Sequence, residues 1–160
     1  MTAGAAAAVR LRTPDDTAEL GRRLAHLLRP GDLVILDGPL GAGKTVLVQG
    51  IGAGLGVAGP VTSPTFVIAR VHRGPRVPLV HVDAYRLGSI AEIDDLDLDT
   101  GLDEAVTVVE WGAGKVERLA DAHLVVRLER HDDDTRTAEL VGVGGDWPAR
   151  LRRLDLSMAG

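Results

Sequence analysis

The stretch Gly38-Pro39-Leu40-Gly41-Ala42-Gly43-Lys44-Thr45 decides the fold of this chain, because it fits the spacing G-x-x-x-x-G-K-[ST] without a gap. A triphosphate has to be wrapped by backbone N–H groups, and only residues with little or no side chain let the main chain come that close. Gly38, Gly41 and Gly43 provide that freedom, with Ala42 and Val46 completing the wrap. Lys44 places a point charge beside the terminal phosphates, and the hydroxyl of Thr45 is a ligand for Mg²⁺. The flanks agree with the motif. Leu33-Val34-Ile35-Leu36 is a short apolar run after the turn-like Pro30-Gly31-Asp32, as a buried strand requires, and Val46 to Ile51 continues in helical register. Strand, loop and helix in that order aim a helix N-terminus at bound phosphate.

Lysine usage points the same way. Of the 18 Lys and Arg residues only Lys44 and Lys115 are lysine, and one of them stands in the motif. The second GAGK, Gly112 to Lys115, is not a second loop of this kind. Val109 stands where the first Gly is needed, and Val116 where Ser or Thr is needed.

Upstream, Ala7 to Leu11 suits an edge strand, and Thr13-Pro14-Asp15-Asp16 has the N-cap, first-turn Pro and acids of a helix start. Leu20, Leu24, Leu27 and Leu28 put that helix against a sheet. Downstream, Gly54, Gly56 and Gly59-Pro60 close the second helix. Phe66 to Val71 and Val77 to Val82 read as a hairpin around Gly74-Pro75, which calls for a mixed sheet. Thr62, Ser63 and Thr65 suit either a nucleotide-sensing loop or a turn entering a strand. Phe66 and Tyr85, single residues of their kinds, are read as core.

Two acids stand at strand ends. His81-Val82-Asp83 places Asp83 where a carboxylate meets Mg²⁺ or a water, although a cap is the alternative. Val106 to Val109 leads to Glu110, the second carboxylate that phosphoryl transfer needs to hold metal or orient water. Trp111 packs in the core by default, or covers the nucleotide or a partner. Glu92 to Glu104 carries seven acids in thirteen residues, but Thr100 and Val106 break the calcium-loop pattern. That stretch is a solvated face or a protein-docking surface. Ala122 to Leu128 and Thr137 to Val143 form two more strands about the turn His131 to Asp134, and a last helix lies near 146–155.

The composition sets outer bounds. At 160 residues the chain holds one domain, read as 1–160 with its core at about 9–143. It has no Cys, and its formal net charge is −5 with no strong cationic patch beyond Arg150, Arg152 and Arg153. Independent binding to DNA or RNA is therefore not expected, since counterion release needs clustered cations. No signal peptide or membrane span is read, so the expected location is the cytoplasm.

Gly41 to Thr45, Ser63-Pro64-Thr65-Phe66, His81 to Leu87 and Val109-Glu110-Trp111, in this order and spacing, resemble the TsaE (YjeE) family of bacterial P-loop ATPases. The resemblance covers roughly Thr13 to Leu140. It implies a small α/β domain with a central mixed sheet flanked by helices, ATP hydrolysis with Mg²⁺, and a part in forming threonylcarbamoyladenosine in tRNA. The partners implied are the TsaB and TsaD proteins, with tRNA reached only through them. Carried onto this chain, Lys44 binds phosphates, Thr45 and Glu110 match the Mg²⁺ environment, and Asp83 matches an acid needed for hydrolysis. Trp111 then lies beside the site, and Arg136 matches an Arg near the nucleotide. Pro39 and Val46 depart from the family, which often has Asp and a second Thr there. Two other readings of a P-loop stay open: a small-molecule kinase, which usually needs an Arg-bearing lid, and a nucleotide-gated binding module without turnover.

Overall fold

The computed structural model describes residues 6–38, 43–57, 69–72, 77–83, 104–110 and 122–154, with the backbone alone for residues 6, 69–71 and 83. The strands are β1 (Ala6–Leu11), β2 (Leu33–Asp37), β3 (Ala69–His72), β4 (Leu79–Asp83), β5 (Val106–Glu110), β6 (His123–Arg130) and β7 (Arg136–Val143). The helices are α1 (Pro14–Ala25), α2 (Lys44–Leu55) and α3 (Trp147–Arg152). All seven strands join one sheet in the order β1-β7-β6-β2-β5-β4-β3.

The four inner strands β6, β2, β5 and β4 run parallel, while β7 and β1 on one side and β3 on the other are antiparallel. Strands of a parallel centre are buried on both faces, which explains why β2 and β5 each have four buried residues in succession before a half-buried acid. Along the chain, β3 and β4 are laid down beyond the place that β5 later fills beside β2, and β6 then pairs with the other side of β2. The strand order therefore reverses at the end of β2, where ligands bind in open α/β sheets.

α1 starts as its sequence dictates. Thr13 is extended and accepts a hydrogen bond from the Asp16 N–H at 3.2 Å, while the Asp16 carboxylate accepts from the Arg12 N–H at 3.1 Å. The helix ends at Ala25, one turn sooner than the leucine spacing predicts. Leu27 and Leu28 lie in the turn that follows, where their N–H groups bond back to Leu24 and Ala25. Leu28 still enters the core, since burial needs only that the turn face the sheet.

α1 packs directly on α2, and glycine sets the distance. A Cβ on Gly50 would lie 2.1 Å from the Ala18 carbonyl oxygen, and one on Gly21 would lie 2.4 Å from that of Leu47. Gly54, expected to help stop α2, sits inside it instead, with Ala25 Cβ 2.5 Å from where its own Cβ would be. The stop is Gly56, whose left-handed φ of 74° caps the helix. The pair covers one sheet face, burying Leu20, Leu24, Leu47, Val48, Ile51 and Leu55 against Val34, Leu36, Val108, Leu124 and Val126.

The expected hairpin is present as β3 paired antiparallel with β4, and the 123–143 region forms the expected strand pair. The predicted terminal helix begins on time, at Trp147 after Asp146. Arg150 is buried there, lies 4.4 Å over the Trp147 ring and donates to Asp32, to Asp146 at 2.8 Å and to the Leu27 carbonyl at 3.2 Å. Among the described residues no helix is long and apolar enough to cross a membrane.

Candidate functional site

The parallel ladder brings the predicted residues to one edge. Leu36, the penultimate residue of β2, pairs with Glu110, and Glu110 pairs with Asp83, so the two acids end adjacent strands, one and two steps from the loop strand. Side chains alternate along a strand, so Glu110 shares the face of Val108 and Leu36, the face on which α2 lies. Its carboxylate is nearly buried, with 12% of the side chain exposed. Asp83 is placed here by register alone.

The far end of the loop is built from backbone and charge. Gly43 precedes α2 with φ of 100°, a conformation that strains any residue with a side chain, and its carbonyl accepts the Leu47 N–H at 3.0 Å. Lys44 opens the helix, is buried, and donates from Nζ to the Gly38 carbonyl at 2.8 Å. An ammonium has three donors. Among the described residues one of them is engaged, and it straps the two ends of the loop together. Thr45 and Val46 follow in the first turn, both half-buried. The first N–H groups of a helix have no partner within it, so this end of α2 offers donors and a positive dipole end to an anion.

Arg136, the first residue of β7, reaches the same place. A methyl group on Gly43 would lie 3.8 Å from Arg136 Nε and 3.6 Å from Thr17 Cγ2. The guanidinium also donates from Nη1 to the Asp134 carbonyl at 2.5 Å, which ties it to the β6–β7 turn. The family resemblance named Arg136 and passed over Thr17, a buried residue of α1 that contributes one wall.

His81 was the other omission. It is fully buried, and its Nε2 lies 2.6 Å from Glu110 Oε2. The signal was present, because His81 stands two residues before Asp83 on the same strand face. Gly41, Ala42 and Trp111, the Thr62 to Thr65 loop and Glu92 to Asp103 lie outside the described residues.

The donor set fits a magnesium nucleotide. Gly43 keeps clear a space that a Cβ would enter, Lys44 and Arg136 supply cations, and the Thr45 hydroxyl and Glu110 carboxylate are hard oxygen donors of the kind that Mg²⁺ selects.

A family model described as "Threonylcarbamoyl adenosine biosynthesis protein TsaE" matches residues 11–138. A Streptomyces coelicolor protein named "tRNA threonylcarbamoyladenosine biosynthesis protein TsaE" is 60% identical over 136 residues, 81% of this chain and 92% of that one. Proteins of the same name from Mycobacterium tuberculosis (strain H37Rv) and Bacillus subtilis are 56% and 36% identical, covering 78% and 84% of this chain and 80% and 84% of theirs. The crystal structure of Bacillus subtilis YdiB superposes with a TM-score of 0.77 at 28% identity, over 96% of this chain and 95% of that one.

Proposed function

The chain belongs to the TsaE family, and from that membership we propose that it is the ATP-hydrolysing subunit of the machinery that forms N6-threonylcarbamoyladenosine in tRNA. It acts through a TsaB–TsaD pair and meets tRNA only through that pair, in the cytoplasm. The observation that carries the reading is the buried Lys44 strapped to Gly38 at the carboxyl edge that Glu110 shares.

Phosphoryl transfer to water is chiefly a matter of positioning and charge stabilisation. Lys44 and the first N–H groups of α2 hold the β- and γ-phosphates, and Arg136 adds positive charge from the β7 side. Thr45 and Glu110, with Asp83 beside them in register, are the residues that would hold Mg²⁺. Bound there, the ion neutralises the charge that develops on the phosphate oxygens. The acid of Asp83 or Glu110 orients the attacking water.

The test is phosphate release from MgATP by the purified protein, alone and with a TsaB–TsaD pair, with Lys44→Ala as control. Slow turnover that rises with the pair and vanishes in the variant is the expected result. Turnover that ignores the pair and starts only on addition of a small-molecule acceptor would replace this reading with a kinase.

A further inference from the structure

His81 stands on β4 opposite Val108, and Glu110 stands two residues further along β5, so the two side chains meet diagonally on one face. Their contact is short, 2.6 Å between Nε2 and Oε2, and both groups are withdrawn from water, with 0% and 12% of the side chain exposed. The other ring nitrogen, Nδ1, is buried and has no hydrogen-bond partner among the described residues. A hydrogen on Nδ1 would be an N–H buried without an acceptor, whereas a hydrogen on Nε2 is shared with the carboxylate. The network therefore assigns the hydrogen to Nε2.

Packing does not explain an imidazole here. Leu79, two residues earlier on the same strand face, is equally buried and needs no partner. A ring that must leave water gains by bonding to a charged acceptor, and that bond fixes the plane of the acceptor. We infer that His81 is a positioning residue: it donates from Nε2 to Glu110 and holds that carboxylate oriented for the magnesium nucleotide. The inference rests on the reading of Glu110 as a metal-site acid.

The experiment measures the Mg²⁺ concentration that gives half-maximal binding of a fluorescent non-hydrolysable ATP analogue, beside thermal midpoints. It uses the wild type, His81→Phe, His81→Gln, Glu110→Gln and the double variant His81→Phe with Glu110→Gln. Loss of an outer partner weakens a metal site by roughly 10–100-fold, so His81→Phe raises the Mg²⁺ requirement about tenfold. His81→Gln, whose amide nitrogen falls near the place of Nε2, recovers most of it. The double variant shifts no further than Glu110→Gln alone, because the two residues act as one unit. His81→Asn, whose shorter amide falls short of Glu110, behaves as His81→Phe does and replaces it should the phenyl ring not fold. In the wild type, nitrogen-15 shifts of the ring report the hydrogen on Nε2.

A His81→Phe or His81→Asn protein that loses only thermal stability overturns the inference, as do additive shifts in the double variant or a ring hydrogen on Nδ1. If Glu110→Gln raises the Mg²⁺ requirement and neither His81→Phe nor His81→Asn does, only the role of His81 falls. If Glu110→Gln leaves it unchanged, the metal reading of Glu110 falls and takes this inference with it.

Discussion

The two ends of β2 each hold a buried cation, and the two are treated oppositely. Before the strand begins, Arg150 meets the Asp32 and Asp146 carboxylates, the Leu27 carbonyl and the face of Trp147. After it ends, Lys44, buried to nearly the same degree as Arg150, meets one neutral carbonyl among the described residues. Burial opposes the charge on Arg150, yet its two carboxylate partners hold its pKa above the ordinary value. A cation saturated by anions of its own chain is a fastener. One with donors left over among the described residues suits the phosphate-binding role proposed above.

The contrast breaks if the two cations can exchange consequences. Lys44→Ala carries the largest effect, a loss of phosphate release by roughly a hundredfold to a thousandfold, as expected when a positioned charge is removed from the transferring group. Its urea midpoint stays within the error of the wild type. A variant that unfolded instead would make Lys44 a second fastener. Arg150→Leu does the reverse: it leaves Asp32 buried without its cation, lowers the unfolding free energy in urea by about 3 kcal/mol, and keeps nucleotide affinity within roughly twofold. A cost under about 1 kcal/mol would place the cluster with solvated surface pairs.

Between the two ends, α1 and α2 set the height of the helix layer. Gly50→Ala forces a Cβ into the Ala18 carbonyl and lowers stability by about 2 kcal/mol. An exposed helical Gly gains about 1 kcal/mol on the same change, so a rise in thermal midpoint would mean the helices stand further apart. The smallest effect belongs to Asp146. Burial alone would raise its carboxyl pKa, but the hydrogen bond and charge of Arg150, with Arg29, bring it below the ordinary 3.8. A lowered folded pKa stabilises above the unfolded value and loses that effect as pH falls through the folded one. The thermal midpoint of the wild type therefore exceeds that of Asp146→Asn at neutral pH, and the gap closes on acidification below pH ~4. A gap that widened in acid would reverse the assignment.

Local chemistry was readable along the chain, and remote partnerships were not. The β2 run Leu33 to Leu36, the Thr13 cap with Pro14, and the strand ends at Asp83 and Glu110 each follow from residues a few positions apart. Arg136 was named from a family pattern rather than from its neighbours in sequence, and its Nε lies 3.8 Å from where a Cβ on Gly43 would be. By contrast Arg150 reads in sequence as one of three arginines near the end, because Asp32, which neutralises it, is 118 positions away. Gly54 reads as a helix stop, since nothing nearby says that Ala25 will lie against it. The 29 positions between His81 and Glu110 hid their contact in the same way.

The place of β2 has a consequence for synthesis. Its ladder partners, β5 and β6, are both made after it, and the chain must reach Glu110 before one side is paired and Arg127 before the other. A growing chain at the ribosome thus carries the glycine-rich stretch after Asp37 on a strand with two bare edges through the making of some seventy further residues, the span from Asp37 to Glu110 being 73 positions (110 − 37). The edge that gathers Lys44 and Glu110 is completed late, when the sheet closes on both sides of the strand that began it.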